Sequence, residues 1–479
     1  MLRLPSRPLL VLPALITVLA FSSARLSADW RTEVGWDEFT GTLGAGYPDG
    51  AGALVLQAEA DESGSNGFQY IPNPLNAEMS GKTISPQTPG GNSNHALTVA
   101  KRFFGNTTSM AHGVTDIHAH YAGDYLTGFS SLPSNRRVHS NAWIGNFSSN
   151  VAGNLGSLDS TIDAKGFLVV GGLNNGSGTS VPHLFASTYN ALSVGVTSGG
   201  HSRGGTVSSG YGVGRVKPEI VLPDSFTSYA TGGACSLAAV LYGVAVTDGH
   251  VDAESNSEVM KAIIMAGATK LEFDSWDRTT TRPLDDIFGA GEANIFNSYR
   301  ILAAGGQAPG PVAPTAWSFN EISDPPGPSD NTSRSYEFTI PAGSWADDFS
   351  VILNWNHVGF GTPRDLKLDL FSLDGGTLLL DESDSAVDNV EHIYRRNLPA
   401  GSYRLTVSRS DAVDDPIDYG LAWQSRLGPG PQTITSESIN VLPEVTITNI
   451  FKDRSYTIER SPDLENWTEV HVFTPTSWD

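Results

Sequence analysis

Three segments, far apart in the 479-residue chain, carry residue types used in nucleophilic catalysis at strand ends or helix starts. In Asn92-Ser-Asn-His95-Ala-Leu-Thr98-Val-Ala100 a histidine opens an Ala/Val helix. In Gly166 to Gly176 a buried strand ends at Asn174 and a Gly-rich turn. In Lys217 to Pro223, followed by Thr227-Ser228-Tyr-Ala-Thr231, a serine opens a long helix of small residues. A serine hydroxyl is a poor nucleophile near neutral pH and needs an imidazole within hydrogen-bond reach to take its proton. An oxyanion formed by its attack needs donors already in place. Taken singly, each residue also has a plainer reading, the histidine as packing and the serine as a helix N-cap.

The elements that would hold these residues can be read from periodicity. From about Gly41 to Gly306, short apolar runs alternate with Gly-rich turns and helical stretches. Strands are expected at Ala53 to Ala60, Asp116 to Ala122, Val138 to Ile144, Gly166 to Gly172 and Ala191 to Thr197, and helices at His95 to Phe104, Ser228 to Val246 and Ser257 to Ala266. Strands buried on both sides and separated by helices imply an α/β domain with a largely parallel sheet. A Pro/Gly linker, 305–314, then changes the texture. From 315 to 426 alternation dominates, as in Phe349 to Trp355 and Tyr403 to Val407, which is the pattern of an antiparallel β-sandwich. A second hinge, Leu427 to Pro431, leads to a short β unit at 432–479 with strands near Ser438 to Ile447 and Tyr456 to Glu459, too short for a complete sandwich.

Composition narrows the function classes. The chain has 29 Lys and Arg against 51 Asp and Glu, a net charge of −22, and no basic tract, which disfavours nucleic acid as a partner. Arg3 and Arg7 precede an apolar stretch from Leu9 to Phe21, with small residues up to Ala28, so 1–28 is expected to be a secretory signal peptide. The mature protein is expected to be secreted, periplasmic or extracellular, with no membrane span. Cys235 is the sole cysteine, which excludes an intrachain disulfide and a cysteine-based zinc site.

The three segments together resemble the subtilisin-like serine peptidases, over about Trp36 to Ala304. That family carries N-S-H-G-T-H-V-A at its histidine, V-V-A-A-A-G-N-x-G at its oxyanion-hole asparagine, and K-P-D-x-x-A-P-G followed by G-T-S-M-A-T-P at its nucleophile. The resemblance continues at Asn141 to Gly145, Ala191 to Gly195, Glu258 to Ala268 and Gly289 to Asn294. It implies a three-layer α/β peptidase domain at 36–304, with His95 as general base, Ser228 as nucleophile and Asn174 in the oxyanion hole. The family's triad aspartate is replaced. The run Ala53-Leu-Val-Leu-Gln-Ala-Glu59-Ala-Asp61 places Glu59 at that position, and Asp61, on the same side of an extended strand, is the alternative acid. Phe226 and Gly232 also depart from the family pattern. A register using Cys235 or Ser236 as nucleophile matches fewer positions. Only a short segment lies between the signal peptide and the first strand, so the propeptide common in subtilases is not expected.

The second domain resembles the bacterial pre-peptidase C-terminal β-sandwich, through Leu353-Asn-Trp355, Asp365 to Phe371, Leu398 to Val407 and Tyr419 to Trp423. This implies an accessory role. The last unit, through Tyr456 to Trp467, resembles small β modules of extracellular bacterial proteins. His118 and His120 have the H-x-H spacing of some metal sites, but no third ligand motif accompanies them, and the expectation is no catalytic metal. The acidic run Asp381 to Glu391 could ligate Ca²⁺ as a structural ion, with no cofactor required. The sequence reading is an exported serine endopeptidase acting on protein or peptide substrates. The alternative is a catalytically silent subtilase-fold module that binds proteins or surface polymers.

Overall fold

The computed structural model describes residues 29–62, 68–206, 210–322, 332–359, 364–409 and 416–428, and the backbone of Tyr456–Arg460 and Thr468–Phe473. The expected signal peptide and the expected strand at Ser438 to Ile447 lie outside these residues, as does 429–431 of the second hinge. The two C-terminal strands pair antiparallel.

The central sheet consists of β1 (Val55–Glu59), β2 (Thr83–Pro86), β3 (Asp116–Tyr121), β4 (Val138–Asn141), β5 (Leu168–Gly172), β6 (Leu192–Val196) and β7 (Ile220–Leu222). Its order is β7-β6-β5-β4-β1-β3-β2, and every pairing is parallel. Such a sheet must be covered on both faces, and β1, β5 and β6 are accordingly buried along their whole length. The longer helices around the sheet are α1 (Asn94–Phe104), α2 (Val151–Lys165), α3 (Thr227–Asp248), α4 (Ser257–Ala266) and α5 (Ile295–Ala303). Val55, Leu168 and Val170 face the core that contains α3, whereas Leu56, Ala58 and Val169 face the cluster around Leu158 and Ile162 of α2. Gln57 and Glu59, in step with Val55, therefore lie on the α3 side.

Helix α3 is apolar or small on every side, which is how a helix surrounded by protein reads. Among the described residues it is the one helix long and apolar enough to cross a membrane, and it is buried core. The periodicity missed α2, whose Gly, Ser and Asn residues dilute its apolar stripe, and edge strand β2, whose Thr-Ile-Ser-Pro sequence is too short to show alternation. It also overran β4, which ends at Asn141.

The C-terminal strands are β8 (Thr315–Ile322), β9 (Ser333–Ile340), β10 (Trp345–Trp355), β11 (Leu366–Ser372), β12 (Leu378–Ser383), β13 (Val390–Leu398), β14 (Gly401–Arg409) and β15 (Ile417–Gly428). They form two antiparallel sheets, β9-β14-β11-β12 and β8-β15-β10-β13, around Trp355 and Trp423. Within 305–314, Gly310–Pro311 pairs with β9. The β-sheets are not simply strung behind the first domain. Ile352, Val390 and Ala422 belong to the same apolar cluster as α4, and a Cβ on Gly420 would lie 2.6 Å from the Glu258 carbonyl oxygen.

That contact encloses an acid. Glu258, on α4, accepts a hydrogen bond from Asn356 Nδ2 at 2.8 Å. Burial pushes its carboxyl up to about 8, and Asp418 from β15 and Asp163 from α2 push the same way. Because the folded value exceeds the unfolded one, this group's stabilising contribution is complete at low pH. It is lost as pH rises from the ordinary glutamate range towards about 8. The unfolding free energy from urea melts is expected to fall over that interval, by up to about 1.4 kcal/mol per pH unit from this group, and the fall should flatten in Glu258→Gln. An unchanged pH profile in the variant would remove Glu258 as the cause.

Candidate active site

β1 and β5 run in the same direction, so the last residues of both reach one rim of the sheet. Glu59 is the last residue of β1 and is 1% exposed. Its Oε2 lies 2.9 Å from Nδ1 of His95, the second residue of α1. An ionised carboxylate can only accept, so Nδ1 carries the proton and Nε2 is left as an acceptor. The side chain of His95 is 37% exposed. Its ring is held above the ordinary histidine value first by the hydrogen bond with Glu59, against partial burial. Asp61 lies past the end of β1, and its Oδ1 accepts from the Gln69 N–H at 2.9 Å. Glu59 thus faces the imidazole, and Asp61 closes the neighbouring loop.

Three further residues shape this rim. Gln57 Nε2 donates to Glu59 Oε1 at 2.7 Å and to the Ala96 carbonyl at 2.9 Å. Glu62 Oε2 accepts from the Asn94 and His95 N–H groups at 2.7 and 3.3 Å, while Ser93 Oγ caps the helix through the Ala96 N–H. The Glu62 carboxyl is held below the usual range, first by its hydrogen bond with Ser93 and then by those backbone donors. Sequence reasoning passed over Gln57, although a glutamine within an apolar strand was the available signal. Glu62 is 32 residues before Asn94, too far for a local cap rule to find it.

Ser228 is the second residue of α3, half-buried, and among the described residues its backbone N–H has no hydrogen-bond partner. A free N–H at a helix start, where the dipole favours negative charge, is the donor an oxyanion needs. Asn174 is brought beside it through its neighbours. Thr227 Oγ1 donates to the Leu173 carbonyl at 2.6 Å, and the Thr227 N–H donates to Asn175 Oδ1 at 3.0 Å. Asn174 is half-buried, and its own side-chain amide makes no hydrogen bond among the described residues. Asn175 is the third residue that the motif reading overlooked, since only one of two adjacent asparagines can match.

The imidazole and the hydroxyl are related by the packing of α1 on α3. A Cβ on Gly232 would lie 2.8 Å from the Val99 carbonyl oxygen and 2.9 Å from Arg102 Cβ. One turn further on, Ser236 Oγ meets Ser109 Oγ at 2.8 Å, and Ser109 Oγ donates to the Phe103 carbonyl at 2.6 Å. The contacts advance from Val99 to Phe103 on one helix and from Gly232 to Ser236 on the other, so the two run in the same direction. One turn back lie His95 and Ser228. Among the described residues neither His95 Nε2 nor Ser228 Oγ makes a hydrogen bond. Apo sites often hold this pair loosely. Phe226, at the N-cap of α3, is 50% exposed and stands edge-on to Tyr229 at 5.5 Å.

The remaining candidates lie elsewhere. Ser236 is buried two turns into α3 and accepts from the Met110 and Ala111 N–H groups, and Cys235 is buried beside it. His118 and His120 stand opposite Leu56 and Ala58, on the sheet face away from Glu59. Burial lowers both rings, His120 to about 4. Among the described residues no group of three or more His, Cys, Asp or Glu side chains is placed to hold a metal ion. Carboxylates of the acidic run are engaged by protein donors: Asp381 by Arg278, Glu382 by Lys367, and Asp388 by Ser385 and the Val216 N–H.

No protein-family model and no curated protein matches the sequence. Among solved structures, the chain is similar to the protease domain of PatA, at 16% identity over 53% of this chain and 97% of that one, with a TM-score of 0.37. It is also similar to fervidolysin from Fervidobacterium pennivorans, described as a keratinolytic enzyme related to subtilisin, at 10% identity over 78% of this chain and 59% of that one, with a TM-score of 0.36. PliG of Aeromonas hydrophila, a periplasmic inhibitor of g-type lysozyme, aligns over 25% of this chain and 98% of its own at 13% identity, with a TM-score of 0.17. These values concern shape alone. The subtilisin-like fold rests on the chain's own seven-stranded parallel sheet with its helices, followed by antiparallel β-sheets.

Two measurements check this geometry. The His95 midpoint, read by NMR titration, should lie above the ordinary histidine value of about 6.5 and fall towards it in Glu59→Gln. Equal midpoints in the two proteins would show that the carboxylate does not act on the ring. Gly232→Ala should lower stability by about 1–3 kcal/mol in urea melts, because the methyl meets backbone rather than a movable side-chain end.

Proposed function

We propose that this chain is an exported serine endopeptidase that hydrolyses peptide bonds in protein or peptide substrates. The observation that carries the reading is the carboxylate–imidazole pair Glu59–His95 at the start of α1, with α1 packed in parallel on the helix that opens at Ser228. In this reading Ser228 Oγ attacks the scissile carbonyl carbon while its proton passes to His95 Nε2. Glu59 holds the proton on Nδ1 and stabilises the imidazolium that forms. The Ser228 N–H and the Asn174 amide receive the oxyanion. His95 then returns the proton to the leaving amine, and a water molecule repeats the sequence on the acyl-enzyme. The active form is the one with neutral His95, so activity falls as pH drops through the raised histidine value. Export through 1–28 completes the proposal, with Ca²⁺ in no catalytic role.

A second reading, a silent subtilase-fold binding module, is favoured by the missing Ser228–His95 hydrogen bond and by the exposed Phe226 two residues before the hydroxyl. A fluorophosphonate probe separates the two. The wild type should label and Ser228→Ala should not, while Glu59→Gln should label more slowly by about 10²- to 10⁴-fold. Folded wild type that takes no label would establish the silent reading, and label retained in Ser228→Ala would displace the nucleophile assignment.

A further inference from the structure

We infer that Gln57 is a positioning residue that locks the triad carboxylate to the helix carrying the base, an inference that rests on the peptidase reading above. A glutamate has one more rotatable bond than the aspartate of the subtilase pattern, so a Glu in this place has to be held. Gln57 lies two residues before Glu59 on the same face of β1 and is 1% exposed. Its amide nitrogen has two N–H bonds, and both are used. One goes to Glu59 Oε1 at 2.7 Å and the other to the carbonyl of Ala96, the residue after His95, at 2.9 Å.

The orientation of this amide is dictated by its partners. Both are acceptors, so a flipped amide would direct its oxygen at a carboxylate and a carbonyl. Among the described residues its actual oxygen, Oε1, is buried without a partner. The other carboxylate oxygen, Oε2, faces His95 Nδ1. The acid therefore has one oxygen for the base and one for Gln57, and Gln57 is in turn fixed to the first turn of α1. Glu62 and Ser93 hold that same turn through backbone N–H groups, so Gln57 is the residue here that, besides His95 itself, connects the turn to the acid. Among the described residues Gln57 makes no hydrogen bond to the imidazole or the hydroxyl, so its effect is expected to pass through Glu59.

The test is a double-mutant cycle on Gln57→Met, which keeps length and loses the donors, and Glu59→Gln. The readouts are the fluorophosphonate labelling rate of Ser228 and the NMR midpoint of His95. Gln57→Met alone should slow labelling by about 10- to 100-fold, by analogy with the loss of other ligand-orienting partners, and should move the His95 midpoint. In the Glu59→Gln background the same change should add little. A full additional loss in that background would overturn the proposal, since Gln57 would then act through the helix alone. So would unchanged labelling and an unchanged midpoint in Gln57→Met. Wild type that takes no label, but whose His95 midpoint moves in Gln57→Met and not in the double variant, would end the peptidase reading and leave the clamp standing. Gln57→Glu, which replaces the donor by a second carboxyl, should perturb the midpoint more than Gln57→Met does, and an indistinguishable midpoint would count against the hydrogen bond to Glu59.

Discussion

Burying a carboxylate is unfavourable unless its oxygens are hydrogen-bonded, and the rim of this sheet is built around meeting that condition for Glu59. Oε2 is met by the imidazole and Oε1 by an amide from the same strand. Each partner then imposes a demand elsewhere. The imidazole must come from the start of a helix lying over the end of β1, and the amide must find a second acceptor, which it does in that helix. The relative placement of β1 and α1 is thereby set by two short polar contacts within otherwise apolar packing.

The other half of the site is fixed by shape rather than charge. Helix α3 carries no charged side chain before Asp248, and close approach helps to set its position. Gly232 lets the Val99 turn of α1 come near its backbone, while Gly233 makes room for the Leu222 and Trp30 side chains. Small residues that lower intrinsic helix stability are used where two backbones must nearly touch. At the N-terminus the logic reverses. Thr227 is held by Leu173 and Asn175, and among the described residues the next N–H, that of Ser228, has no internal acceptor. A strand-end loop thus determines which helix donor remains free.

Much of this was legible in the residues because motifs report local backbone states. His95 and Ser228 each stand in the first turn of a helix, as their flanking residues indicated, whereas β5 stops at Gly172, two residues before Asn174. Alternation did not separate Glu59 from Asp61, because it places both on one side, and only the match to the subtilase pattern favoured Glu59. The strand stops at Glu59, and the chain beyond it turns so that Asp61 meets Gln69, a tertiary event that no two-residue period encodes. Glu62, Asn175 and Gln57 were missed for a related reason. Each acts on a partner distant in sequence, and a glutamine or glutamate read locally carries no mark of the helix it will cap or bind. The fusion of the two domains was hidden too. The Pro/Gly stretch suggested a spacer, whereas what joins the domains is the covering of α4 by β10 and β15, with Gly420 admitting the helix backbone.

The polar chain from Gln57 through Glu59 to His95 also bears on whether the site is used. Replacing a buried polar network by apolar residues of similar volume is often neutral or stabilising, so stability alone does not call for one. Strand β1 would be at least as well served by leucine or valine at positions 57 and 59, since Val55 already fills the first position on that face. This chain instead places a glutamine and a glutamate there, and the network ends on an imidazole open to solvent, one helical turn before the contact that aligns it with Ser228. Among the described residues the network stops at an Nε2 with no hydrogen-bond partner, on the rim where a second helix begins with a hydroxyl, and the proposed proton transfer rests on that arrangement.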